Sequence, residues 1–149
     1  MKPIVVWVLI ADGTRARIVE QKGSGHPLTE VPGAEFSDEN LENRDIQADR
    51  PGRSFDSAGE GRHAMEPPSD PKEVRQKQFL DSLAARLDSH LKQGKFDRLV
   101  IVAPPAALGH LRGALSDGAK KLVSAEVSKD LTKVPNPELA SHLSDVLNA

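Results

Sequence analysis

Two short runs constrain this chain more than anything else in it. Residues 4–10 read Ile-Val-Val-Trp-Val-Leu-Ile, and residues 99–103 read Leu-Val-Ile-Val-Ala. Both are apolar without alternation and rich in β-branched side chains, the pattern of a strand covered on both faces. Such strands need a layer on each side, which predicts an α/β protein with these two runs at the centre of its sheet. The chain has 149 residues, which predicts a single domain spanning residues 1–149, since a domain takes roughly 100–200 residues.

The rest of the chain is expected to arrange itself around those strands. Asp12-Gly13 follows the first run and is a hairpin signal of the kind that uses positive φ. Residues 14–21 then alternate, with Ala16, Ile18 and Glu20 on one side and Arg15, Arg17 and Val19 on the other. A second turn at Lys22-Gly23-Ser24-Gly25 leads to residues 26–31, flanked by Pro27 and Pro32. They predict a short edge strand, because Pro cannot donate to a ladder. Residues 34–68 are polar, rich in Gly and Pro and without period; an excursion of that length inside a domain is normally either functional or disordered.

Beyond it, Asp70-Pro71-Lys72-Glu73 reads as a helix start, with an N-cap acceptor, Pro at N1 and Glu at N3. Leu80, Leu83, Ala84, Leu87 and Leu91 share one helical face, and Gly94 stops the helix. After the second buried run Pro104-Pro105 breaks the strand, and Leu108, Leu111 and Leu115 support a short helix. Residues 122–127 alternate as a strand, and Asn136-Pro137 starts a last helix carrying Leu139, Leu143, Val146 and Leu147. The order β-β-β-α-β-α-β-α predicts a mixed five-stranded sheet in a ribonuclease-H-like layout, its later strands parallel, with the long Arg-rich loop after the third strand.

Composition removes several classes of function. There are 20 Lys+Arg against 22 Asp+Glu, a net charge of −2, which argues against a protein basic all over but not against a local Arg patch. Aromatic residues make up 3% and Tyr is absent, which argues against a platform of stacked bases. Cys is 0, so disulfides, thiol catalysis, iron–sulfur clusters and Cys-based zinc sites are excluded. His26, His90, His110 and His142 show no metal-ligand spacing, and no metal or cofactor is expected. No apolar run reaches the roughly 18–20 residues of a membrane span. Residues 3–11 are followed directly by the charged Asp12, Arg15 and Arg17, so they read as a strand and not a signal peptide, and the expected location is cytoplasmic.

Candidate chemistry concentrates in the long loop. Arg44, Arg50, Arg53 and Arg62 offer planar, permanently charged forks suited to phosphate or carboxylate, and Asp45, Asp49 and Asp56 can pair with them. Three readings stay open: the charges pair among themselves and pin the loop, they bind an anionic partner such as RNA, or they form a catalytic centre. His63 is either a general base or a member of a loop hydrogen-bond network. Asp12, just past the first strand, is either a hairpin residue or a metal-binding carboxylate, though two-metal chemistry needs several converging acids. Pro104 and Pro105 follow the carboxyl end of a central strand, where open α/β sheets bind ligands and a helix N-terminus attracts anions; the alternative is a structural turn. Glycine-rich nucleotide fingerprints and the G-x-S-x-G elbow are missing.

A set of motifs runs along nearly the whole chain. It comprises Trp7 with Ala11-Asp12-Gly13-x-Arg15-Ala16-Arg17; Arg44-Asp45; Ala48-Asp49-Arg50-Pro51-Gly52-Arg53-Ser54-Phe55-Asp56-Ser57; Arg62-His63-Ala64; Phe96-Asp97-Arg98 into Pro104-Pro105; Leu108-Gly109-x-Leu111-Arg112; and Lys129-Asp130-Leu131-Thr132. In these the sequence resembles the bacterial host-attachment family, proteins required for attachment to host cells. That family is similar to the central domain of archaeal and eukaryotic peptide-chain release factors, a ribonuclease-H-like domain in which a Gly-Gly-Gln loop occupies the place of this Arg-rich loop. This chain has no Gly-Gly-Gln; its nearest material is Gly59-Glu60-Gly61-Arg62-His63. The resemblance implies a non-enzymatic binding protein whose partner is the ribosome or RNA, or a protein. The alternative is a hydrolase of a phosphate- or tRNA-linked ester with His63 as base and Arg50, Arg53 and Arg62 as clamps. A third reading is a structural module whose loop orders only in a complex.

Overall fold

Strand β1 (Val5–Ala11) and strand β4 (Arg98–Ala103) lie parallel and adjacent, Trp7 opposite Leu99 and Leu9 opposite Ile101. They form the middle of the sheet in the computed structural model, which describes residues 3–23, 25–37 and 70–147. On one side β1 pairs antiparallel with β2 (Arg15–Lys22), and β2 with β3 (Leu28–Ser37). On the other, β4 pairs parallel with β5 (Val123–Ser128), giving the order β3-β2-β1-β4-β5.

The absence of alternation in the central runs has the expected cause. Trp7, Leu9 and Ala11 of β1, with Leu99, Ile101 and Ala103 of β4, face a layer made by helices α1 (Pro71–Lys92), α2 (Pro105–Ala114) and α3 (Asp117–Leu122). Val8, Ile10, Val100 and Val102 point the other way, under helix α4 (Asn136–Leu147) and its Leu139 and Leu143. Every one of these side chains is at most 2% exposed. Helix α1 starts as its sequence predicts: Asp70 Oδ1 accepts from the Lys72 amide at 3.0 Å, with Pro71 behind it. Phe79, Leu80, Leu83, Ala84 and Leu87 form its buried face.

Three local readings change. The third strand does not end before Pro32 but continues to Ser37, so the polar excursion begins later than position 34. β3 is an edge strand, where a missing N–H costs nothing, and Gly33 adopts φ +75°. Between Arg17 and Val19 the partners on β3 jump from Glu35 to Glu30. The bulge inserts an odd number of extra residues on β3, which inverts the facing pattern. Ala34 and Phe36 thereby reach the α1 face while Leu28 packs on the α4 side. The second change is α3, six residues capped by the Ser116 hydroxyl, too short to show a helical period. The third is Gly13, which is not at positive φ. The Asp12 side chain closes that turn, and a Cβ on Gly13 would lie 2.7 Å from Gln76 Cδ, so a larger residue there would displace the flexible Gln76 side chain of α1.

Candidate functional site

The three parallel strands end on one edge of the sheet. Asp12 follows β1, Pro104 follows β4 and Lys129-Asp130 follow β5. The last residue of β3, Ser37, is paired with Arg15 beside Asp12. Helix α1 begins on the same side: its Glu73, Gln76 and Lys77 share a cleft with Gly13 and Pro104. Ser37 and the start of α1, which flank residues 38–69 in sequence, therefore lie at this edge.

Asp12 organises the turn. Its Oδ1 accepts from the Thr14 amide at 2.8 Å, the Thr14 hydroxyl at 3.1 Å and the Arg15 amide at 2.9 Å. Its Oδ2 faces the Arg15 guanidinium at 3.6 Å and the Thr132 hydroxyl at 3.3 Å. That hydroxyl lies closer to Asp130 Oδ1, at 2.6 Å, and the Thr132 amide also donates to Asp130 at 3.0 Å. A hydroxyl has one proton, so Asp130 takes it and Asp12 sits at the longer distance. The Thr132 side-chain bond, then its backbone bond, hold the Asp130 carboxyl below its ordinary value.

Arg17 fastens this segment to the sheet. Its side chain lies on the α4 face of β2. Nε donates to Asn136 Oδ1 at 2.8 Å, one terminal nitrogen to the Thr132 carbonyl at 2.9 Å and the other to the Val134 carbonyl. Burial lowers the Arg17 guanidinium from its ordinary value, with Glu35 opposing the shift. Asn136 also donates to Glu30 Oε2 at 3.2 Å, tying the start of α4 to the edge strand. A shallow cleft of about 200 Å³ lies beside this network, lined by Arg15, Arg17, Glu35, Phe36 and Thr132.

Of the residues singled out in the sequence, Asp12 and Arg15 come together, and Pro104 and Pro105 lie at the same edge. Arg44, Asp45, Asp49, Arg50, Arg53, Asp56, Arg62 and His63 lie outside the described residues. Among the described residues no group of three or more His, Asp or Glu side chains is arranged to hold a metal ion. Sequence reasoning placed Arg17 only as the polar side of an alternating strand and did not connect it to Thr132 or Asn136. One signal was present: an Arg on the same side of β2 as the core residue Val19 must find acceptors. The contact between His110 Nε2 and Asp81 Oδ1, 2.8 Å across α1 and α2, had no signal, because 29 residues separate the pair.

Among the described residues no helix is long and apolar enough to cross a membrane. Over 71 residues the chain is 34% identical to a Rickettsia prowazekii (strain Madrid E) protein named "Uncharacterized protein RP470", a match covering 46% of this chain and 47% of that protein. The chain thus spans about half the length of that curated relative. The family described as "Protein required for attachment to host cells" matches residues 7–143, from the first central strand to the last helix. A match of that extent takes in both buried strands, the Asp12 turn and the Thr132 segment, and the chain belongs to this host-attachment family.

Proposed function

We propose that this protein is a non-enzymatic binding protein that engages an anionic partner, the ribosome or RNA, through its Arg-rich segment and the adjoining sheet edge. The observation that carries the reading is the placement of Ser37 and of the start of α1, which flank residues 38–69 in sequence, at the edge holding Asp12, Arg15 and Pro104. Arg44, Arg50, Arg53 and Arg62 belong to the stretch of sequence between those two points, and the Arg15 side chain at the edge is 46% exposed. Guanidinium forks suit phosphate contact, which positions a partner without reading its sequence. The strand order, an antiparallel meander joined to two parallel strands, supports a ribonuclease-H-like layout and with it the likeness to release-factor central domains.

The test is recovery of partners from bacterial lysate at low and high salt, comparing wild type with an Arg50→Ala/Arg53→Ala double variant of equal melting temperature. The expected result is RNA or ribosomes with wild type at low salt, falling steeply as salt rises, and loss in the variant. Recovery of no nucleic acid by either protein refutes the reading. Turnover of an ester that disappears in His63→Ala with the fold intact replaces it with the hydrolase.

A further inference from the structure

A second cleft, of about 340 Å³, opens between α1 and α2 on the helical side of the same edge. Gly13, Glu73, Lys77, Leu80, Pro104 and His110 line it. β1 leads into an antiparallel hairpin and β4 into a helical crossover, and the cleft lies beyond the carboxyl ends of these two parallel neighbours, the end at which open α/β sheets take their ligands. The volume falls within the roughly 300–1,000 Å³ of small-molecule sites, and an apolar wall with a few convergent polar groups is their usual make-up.

The polar groups define a ligand. The His110 ring is oriented by its 2.8 Å contact with Asp81. A carboxylate only accepts, so His110 Nε2 carries the proton and Nδ1 is the ring's second bonding atom. Lys77 supplies an ammonium, and Glu73, one helical turn earlier on α1, is the acid that opposes it. We propose that this cleft binds a small molecule carrying an oxyanion, phosphate or carboxylate, on an apolar body. The Lys77 ammonium holds the oxyanion with the His110 ring beside it, while Leu80, Pro104 and Ala106 cover the body. Asp81 is a positioning residue for the ring.

It rests on Lys77, His110 and the apolar wall of the cleft, and on no residue of segment 38–69. The test is a titration of the full chain with phenyl phosphate, benzoate and inorganic phosphate, followed by NMR of the histidine rings and backbone amides. A saturable shift at the His110 ring and at the Ala106 and Ala107 amides is expected. Phenyl phosphate or benzoate, whichever binds tighter, identifies the head group, and inorganic phosphate binds more weakly than phenyl phosphate for want of an apolar body. Lys77→Ala weakens binding about tenfold, as loss of a charge-assisted bond requires, and His110→Gln weakens it as well. Glu73→Gln tightens it, and Ala106→Trp, at an exposed position on the cleft wall, abolishes it. Arg50→Ala/Arg53→Ala leaves it unchanged. No saturable His110 shift with any probe overturns the proposal, as does binding that survives Lys77→Ala and Ala106→Trp in variants that melt like wild type. Loss of binding in the Arg50/Arg53 variant also overturns it, by assigning the ligand to the other surface.

Discussion

Replacing Arg17 with Met keeps most of the stem and removes the fork that joins β2 to residues 132–136. Three acceptors lose their donor: the Thr132 and Val134 carbonyls and Asn136 Oδ1. Hydrogen bonds to a charged group contribute about 1.5–3 kcal/mol each, but three bonds from one side chain are not additive. Water also reaches part of the site, so the expected loss is about 2–4 kcal/mol, less than the sum. For a domain of this size about 2–4 °C of melting temperature accompany each kcal/mol, which puts the variant roughly 5–15 °C below wild type. Arg17→Lys should recover less than half of that, because one ammonium cannot serve three diverging acceptors. Urea denaturation gives the free energies, and a double-mutant cycle with Asn136→Ala isolates the pair, with a coupling of about 0.5–3 kcal/mol. If Arg17→Met melts within about 1 °C of wild type, or the cycle closes at zero, the fork does not hold the segment and the reasoning fails.

Two further outcomes follow from the same structure. Thr132→Val preserves shape but removes the hydroxyl from Asp130 and Asp12. Asp130, held low by that hydroxyl, adds stability above its unfolded value that is lost as pH falls through the folded one, so acid unfolding of the variant should show a smaller dependence on pH in that window. His90 Nδ1 is buried without a hydrogen-bond partner among the described residues, 5.2 Å (ring centroids) from Trp7. Burial, then Lys95, pushes its ring below the ordinary 6.5, so stability is full above that value and declines as pH falls through the lowered one. His90→Leu should flatten this decline when unfolding is followed by the fluorescence of Trp7, the only tryptophan; an unchanged profile assigns the decline to other groups.

Much of the sheet is written locally. A run such as residues 7–10 is buried on both faces, and the two-sided cover it requires is what α1 and α4 provide, while Ile4 at the start of the apolar stretch stays exposed. Pro71 and Asp70 mark a helix start because capping is settled within a few residues of chain. The misread end of β3 shows where local rules stop. Pro32 and Gly33 are terminating signals on a central strand, yet on an edge they allow a bulge, and whether a strand is an edge depends on all the others.

The candidate site is less legible for the same reason. Asp12 was visible because its partners Thr14 and Arg15 are its neighbours in sequence. Arg17 finds its partners 115 to 119 residues away, a separation that leaves no periodic trace. Yet a guanidinium beside Val19, on a face covered by α4, could be stable only with acceptors brought to it from elsewhere in the chain. The carbonyls of Thr132 and Val134 answer that requirement, and in doing so fix the Thr132 hydroxyl between Asp12 and Asp130. The edge around Asp12 and Thr132 is thus built by a structural charge two residues from the exposed Arg15. A variant that spares every exposed Arg but removes Arg17 should therefore disturb the edge around Asp12 as well as the fold's stability.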